Sequence, residues 1–257
     1  MSRTTDPFFT AKLAVMSGKR HLDDFKKKMG EFLSTDNIKT SSFIDRRSME
    51  YVQCIDIVNP IPDELELSAT QAIGQLRSAL DKAVSAGSRQ SGIDPNLLRY
   101  SPFPFAVDKN QLVTKLASGK GNWRGIAPQL HEYLISLQPY KGGNDVLYAF
   151  GRRSNPVKHE DVLTIDASTN LVSPCSGPNG DTFTVNFSRV GTVWNKERTR
   201  AEIFRVKHSH NMDFEAYFSV ILNDAGILTG KDSIEAISEI VAIVNDIISG
   251  IEARVVS

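Results

Sequence analysis

The spacing of the apolar residues changes near residue 160 of this chain. Before that point apolar residues recur every three or four positions, as over residues 22–32, which is typical of one face of an α-helix. After it they alternate with polar residues, as over residues 183–187, which is typical of a strand with one buried face. We therefore predict an α+β fold, with a mostly helical part over residues 1–160 and an antiparallel sheet within residues 161–257. The two parts could form one continuous domain.

The C-terminal segment carries the longest regular stripe of apolar side chains. Its members follow a strict 3, 4 spacing: Ile234, Ile237, Val241, Val244, Ile248, Ile251 and Val255. Ile240 and Ile247 widen the stripe, and a stripe that wide is more typical of a helix packed on a sheet than of a bare coiled-coil seam. We predict a long C-terminal helix that covers the sheet, on the face of Phe214, Phe218 and Val220.

The N-terminal part has further regular patterns. A helix is predicted over residues 65–84, with Gly87 at the position of a C-terminal cap, and another helix should begin at Pro128. Residues 51–58 read as a strand that pairs with residues 38–43. Arg77 and Asp81 stand one helical turn apart, which is the spacing of a modest structural ion pair.

Composition limits the classes of function. The chain has 30 Lys and Arg against 30 Asp and Glu, so that binding of a polyanion would need a local basic patch. It has only two cysteines, Cys54 and Cys175, which favours a reducing compartment, and we predict a cytoplasmic protein. No apolar run approaches the roughly 20 residues that a membrane span needs. His208 and His210 are a candidate pair of metal ligands without an evident third, so we predict no metal and no cofactor.

Residues with chemically useful side chains gather between positions 138 and 159. The loop that ends in Gly142-Gly143-Asn144-Asp145 either cradles a phosphate at a helix N-terminus or forms an ordinary turn with Asn144 or Asp145 as the N-cap. A short apolar helix follows and leads to a segment rich in Arg, Lys and His.

That segment combines a guanidinium and an imidazole, which together can cleave RNA without a metal. The imidazole of His159 can take the proton from a ribose 2′-hydroxyl, while Arg153 stabilises the charge that grows on the attacked phosphate. We predict these two residues to be catalytic. The predicted substrate-binding residues are Asn155, Lys158, Arg152 and Lys141.

Arg153, Ser154, the four residues 155–158 and His159 together resemble the motif of the HEPN superfamily of helical ribonucleases and nucleotide-binding proteins. In that motif an Arg and a polar residue are followed, after four to six residues, by a His. Here the polar residue is Ser, where the family usually has Asn, Asp or His, and Pro156 should interrupt the helix between the two key residues. The resemblance implies metal-independent cleavage or binding of RNA, of the defence or toxin type, by a homodimer.

A broader resemblance connects four segments of the chain to an uncharacterised family of bacterial hypothetical proteins. The segments are residues 76–81, Phe103-Pro104-Phe105, residues 138–145 and Lys158-His159. In that family the histidine segment usually reads Asp-Lys-His-Arg, and here Val157 and Glu160 replace the flanking charges. The alternative interpretation is a non-enzymatic interaction or regulatory protein in which the Arg and His cluster caps neighbouring helix ends.

Overall fold

The computed structural model describes residues 6–34, 37–60, 62–157, 165–176, 182–187, 200–206, 215–222 and 232–255. Within these ranges the helices are α1 (Phe9–Ser34), α2 (Asp63–Gln90), α3 (Lys109–Ser118), α4 (Pro128–Ser136), α5 (Asp145–Val157) and α6 (Ser233–Val255). The strands are β1 (Ile38–Asp45), β2 (Glu50–Ile57), β3 (Ile165–Ser176), β4 (Thr182–Phe187), β5 (Arg200–Val206) and β6 (Glu215–Leu222). Two short 3₁₀ helices span Pro95–Tyr100 and Gly121–Trp123. The predicted α+β class is confirmed.

The helices pack into a bundle around one apolar core. Helix α1 lies along α2, and α6 packs against both. The largest fully buried side chains come from helices α1 to α5 and from the segments before α1 and α3: Phe8, Phe25, Leu65, Leu76, Leu80, Phe103, Leu112, Leu116, Leu130 and Phe150. The bundle therefore provides the rigid frame from which the loops between α2 and α5 project.

The predicted burial of the apolar stripe on α6 is confirmed, and its main packing partners are helices. The stripe residues buried in the core are Ile237, Ile240, Val241, Val244, Ile247, Ile248 and Ile251. Helix α6 contacts β6, but it packs more extensively on α2 and α1, because a wide stripe fits the groove between two helices as well as it fits a sheet. The side chains of Phe214, Phe218 and Val220 lie outside the described part of the chain.

The strands form two antiparallel sheets, with the orders β1-β2-β5 and β4-β3-β6. The predicted pairing of the first two strands is confirmed, with Ile38 opposite Ile57. Strand β5 was not predicted, and it pairs with β2 through a register shift at Gln53/Cys54. A strand from the C-terminal part thus completes a sheet begun in the N-terminal part, while the division at residue 160 stays a prediction. The sequences Asn-Gly at residues 179–180 and Asn-Asp-Ala-Gly at residues 223–226 predict turns, and both segments lie outside the described residues.

Two glycines that read as helix breakers lie inside helices. Gly87 was predicted to end α2, and this was wrong, because the helix continues to Gln90. A Cβ on Gly87 would lie 2.6 Å from Ile251 Cγ2, so the missing side chain lets α6 approach α2 closely. Gly18 likewise lies within α1, where Leu76 of α2 covers it.

We expect Gly87→Ala to lower the free energy of unfolding by about 1–3 kcal/mol, because the added methyl group overpacks the contact with Ile251. Gly30→Ala is the matched control, since Gly30 is exposed within α1 and a Cβ there would meet nothing within 4 Å. That change should raise the stability by about 0.5–1 kcal/mol through helix propensity. Urea unfolding measures both, and equal effects of the two changes would contradict the packing at Gly87.

Within the described ranges, the chain has no helix with the length and hydropathy that a bilayer crossing requires.

Candidate functional site

The loop before α5 is an N-capping turn. Asn144 Oδ1 accepts a hydrogen bond from the backbone N–H of Leu147 at 2.9 Å, which is the bond of an N-cap residue. The backbone N–H of Gly142, whose φ is +80°, donates to Asp145 Oδ1 at 3.2 Å. This confirms the turn interpretation and leaves the phosphate-cradle alternative without support, because a carboxylate of the chain already accepts from the loop.

The same loop is fixed to the extended segment that follows the 3₁₀ helix Pro95–Tyr100. The N–H of Ala106 donates to the carbonyl of Pro139 at 3.1 Å, and the N–H of Lys141 donates to the carbonyl of Val107 at 3.3 Å. These two bonds hold the start of α5 beside residues 103–107. The predicted substrate-binding residue Lys141 is exposed at this junction.

Helix α5 and the extended segment enclose a small cleft. Gly151 lies against the ring of Phe105, where a Cβ would overlap the ring, and this close approach forms one wall. Tyr148 and Arg152 stand one turn apart on α5 and both line the cleft. The cleft has a volume of about 190 Å³, is open to solvent, and is also lined by Ala106, Val107 and Gln111.

The polar groups of the cleft are suited to an anion. Gln111 Oε1 accepts from the N–H of Val107 at 3.1 Å, so the side-chain amide can present its NH₂ donors. Arg152 is exposed, and no carboxylate of the described chain pairs with it. None of the described residues that line the cleft is acidic. A guanidinium, a phenol and an amide around an aromatic wall can bind a phosphate group.

A buried ion pair packs against the ring of Phe105, which forms the aromatic wall of the cleft. The guanidinium of Arg77 lies 4.3 Å from the centroid of the Phe105 ring, and its Nη2 lies 3.3 Å from Asp81 Oδ1. Arg77 Nη2 also donates to the carbonyl of Phe103 at 3.4 Å, and Asp81 Oδ1 accepts from the N–H of Phe103 at 2.9 Å. The pair therefore fixes residues 103–105 to α2.

This pair is buried, not the modest pair that its spacing predicts. The side chain of Arg77 is 7% exposed and that of Asp81 is 20% exposed. Burial lowers the pKa of Arg77, and the charge of Asp81 opposes that shift. Two of the guanidinium nitrogens, Nε and Nη1, are buried and have no hydrogen-bond partner among the described residues, so the site keeps a desolvated charge with the carboxylate of Asp81 beside it.

The remaining predicted site residues lie at or beyond the C-terminal end of α5. Arg153 and Asn155 belong to the last turns of the helix by their backbone, whereas Lys158 and His159 lie outside the described residues. Helix α5 passes through Pro156 to Val157, and the predicted interruption before His159 falls on residues outside the described part of the chain.

Three residues of the cleft were missed by the sequence analysis. Tyr148 could have been found from its spacing of four residues to Arg152 on the same helix. Gln111 and Phe105 could not, because their approach to α5 depends on the fold of residues 103–111. In the described part of the chain no three His, Cys, Asp or Glu side chains gather as metal ligands would, and His208 and His210 lie outside that part.

No protein-family model, curated protein or solved structure matches this chain. Its site is therefore interpreted from its own geometry and chemistry.

Proposed function

We propose that this protein binds RNA at the exposed basic end of α5 and cleaves it without a metal, as a HEPN-like ribonuclease of the defence or toxin type that acts as a homodimer. The observation that carries the proposal is Arg152, an exposed guanidinium with no carboxylate partner among the described residues, at the edge of a cleft with no acidic lining residue. RNA phosphates are the anions that such a guanidinium binds well.

The cleavage step follows from the residue types near the end of α5. The imidazole of His159 takes the proton of a ribose 2′-hydroxyl, and the 2′-oxygen attacks the adjacent phosphorus. The bond from phosphorus to the 5′-oxygen of the next nucleotide breaks, that oxygen takes a proton from water, the imidazolium of His159 returns its proton to the solvent, and a 2′,3′-cyclic phosphate remains. Arg153 stabilises the extra negative charge on the phosphate during the attack.

The substrate is held by the residues around these two groups. Arg152, Lys158 and Lys141 contact phosphates on either side of the cleaved bond, and each of these contacts raises the affinity for RNA through the release of counterions. Asn155 orients the ribose or the imidazole. Arg152 belongs to the rigid part of α5, whose buried residues Leu147 and Phe150 fix it in the bundle.

We expect Arg152→Ala to weaken binding of single-stranded RNA, because it removes one phosphate contact. A 2′-O-methyl RNA, which cannot be cleaved, should be titrated by fluorescence anisotropy at several salt concentrations. The slope of log affinity against log salt should fall by about 0.7, the value for one phosphate contact on a single strand. Arg20→Ala is the control, because Arg20 is an exposed arginine on α1. Equal slopes for wild type and both variants would contradict the proposed site.

A further inference from the structure

A second basic surface with an aromatic floor lies at the C-terminal end of α3. An open pocket of about 420 Å³ is lined by Lys115, Lys120, Gly121, Asn122 and Trp123. Trp123 is half-buried and packs partly against the apolar core, which fixes its ring. Lys115 Nζ lies 5.4 Å from the centroid of that ring, as in a cation–π contact.

The loop around the pocket brings backbone groups and the ammonium groups of lysines close to any bound ligand. Gly119 and Gly121 have φ values of +57° and +67°, and a Cβ on either would meet nothing within 4 Å, so the approach to the loop is open. Arg124 donates to the carbonyl of Gly121 at 2.9 Å and holds the turn in place. Lys115 and Lys120 are exposed, and neither pairs with a carboxylate of the described chain.

This pocket and the cleft beside α5 share helix α3. Gln111 of the cleft and Lys115 of the pocket are four residues apart on α3, which corresponds to about 6 Å along the helix axis. Residues at this spacing lie on the same face of a helix. A strand that contacts Arg152 in the cleft can therefore continue along α3 to Trp123.

We propose that the pocket is a base-stacking site for single-stranded RNA, in which one base stacks on Trp123 while Lys115 and Lys120 contact the flanking phosphates. The inference rests on the proposed function in taking RNA as the ligand. The incoming base replaces the ammonium of Lys115 on the indole face, and the freed ammonium moves to a phosphate. Asn122, exposed in the pocket, can hydrogen-bond the edge of the base.

Single-stranded RNA fits these groups better than an acidic peptide does. Cations alone would serve either ligand, but an indole face fixed beside two cations favours a flat aromatic base. A duplex keeps its bases stacked inside the helix and cannot use the ring. The pocket therefore selects unpaired strands.

The test uses the fluorescence of Trp123. The chain has two tryptophans, so a Trp194→Phe protein reports from Trp123 alone. Titration with a short single-stranded 2′-O-methyl RNA should quench this fluorescence, while duplex RNA and poly-glutamate of equal charge should not. In an anisotropy titration Trp123→Leu, which keeps an apolar side chain, should lower the affinity roughly tenfold, and Trp123→Phe should restore most of it.

The charge contribution is tested separately. Lys115→Ala combined with Lys120→Ala should reduce the salt slope by about 1.4, as two phosphate contacts require. Lys82→Ala on α2 is the control for loss of an exposed lysine and should leave the slope unchanged. An unchanged Trp123 signal at saturating RNA, an equal affinity for poly-glutamate, or full affinity in Trp123→Leu would overturn the stacking site. If the wild-type protein shows the quenching but does not cleave RNA, the stacking site is supported and only the cleavage proposed for α5 is rejected.

Discussion

Asp81→Ala should lower the free energy of unfolding by about 3–5 kcal/mol, one of the largest effects expected from a single substitution in this chain. The change leaves the buried guanidinium of Arg77 without its counter-charge, and two of its nitrogens already have no partner. It also removes the acceptor of the Phe103 N–H. Urea unfolding followed by circular dichroism at neutral pH measures the loss.

Arg77→Met should cost less than Asp81→Ala. The thioether keeps contact with the ring of Phe105 and removes the two unpartnered guanidinium nitrogens. The carboxylate that remains is partly exposed and still accepts from Phe103. If Arg77→Met lowered the free energy of unfolding more than Asp81→Ala, the hydrogen bonds made by Arg77, and not the loss of its counter-charge, would account for most of the stabilisation.

An exposed ion pair with the same spacing provides the control. Lys27 and Glu31 lie 3.8 Å apart on α1, with side chains 75% and 64% exposed. Glu31→Ala should change the stability by less than about 1 kcal/mol, as is usual for surface pairs. Comparable losses of stability in Glu31→Ala and Asp81→Ala would show that burial of the pair of Arg77 and Asp81 does not affect the free energy of unfolding.

The comparison of these two pairs shows where the sequence was informative and where it was not. Spacing of four residues on a helix predicts that two charges meet, and both pairs do. It does not predict burial, because Arg77 is covered by Phe103 and Phe105, which follow more than twenty residues later. The energetics of the site thus depend on tertiary packing.

Local signals predicted most of the helices, although helix α3 was missed and the end of α2 was misread at Gly87. The start of α4 at Pro128 and the burial of the α6 stripe followed from sequence alone. Helix α3 was missed although its signals are present, since Asp108 caps its N-terminus and Gly119 ends it in a left-handed conformation. Gly87 was misread because a capping glycine and a packing glycine look alike in a sequence.

The candidate site was only partly predictable. Arg152 was identified because basic residues gather in that segment, and it does line a cleft. The cleft itself arises from the approach of residues 103–111 to α5, and the pocket at Trp123 arises from a glycine-rich turn after α3. Neither the approach of these residues to α5 nor the turn after α3 leaves a periodic pattern in the sequence.

If the proposed reaction is right, Arg153→Ala and His159→Ala should each reduce RNA cleavage by about 100-fold or more, because each would remove a group that the reaction uses in its transition state. The midpoint of thermal unfolding should stay nearly the same in both variants, since groups that serve a reaction are not selected for stability. If the cluster instead caps helix ends, both changes should lower stability by about 1–3 kcal/mol through lost hydrogen bonds.

The most direct measurement is the cleavage of single-stranded and structured RNA by the purified protein in excess EDTA, with Arg153→Ala, His159→Ala and the control Arg20→Ala beside the wild type. The proposal predicts cleavage by the wild type and by Arg20→Ala, products that end in a 2′,3′-cyclic phosphate, and no cleavage above background by the other two variants at unchanged thermal midpoints. No cleavage by the wild type, together with clear destabilisation of Arg153→Ala and His159→Ala, would contradict it and assign the cluster a structural role.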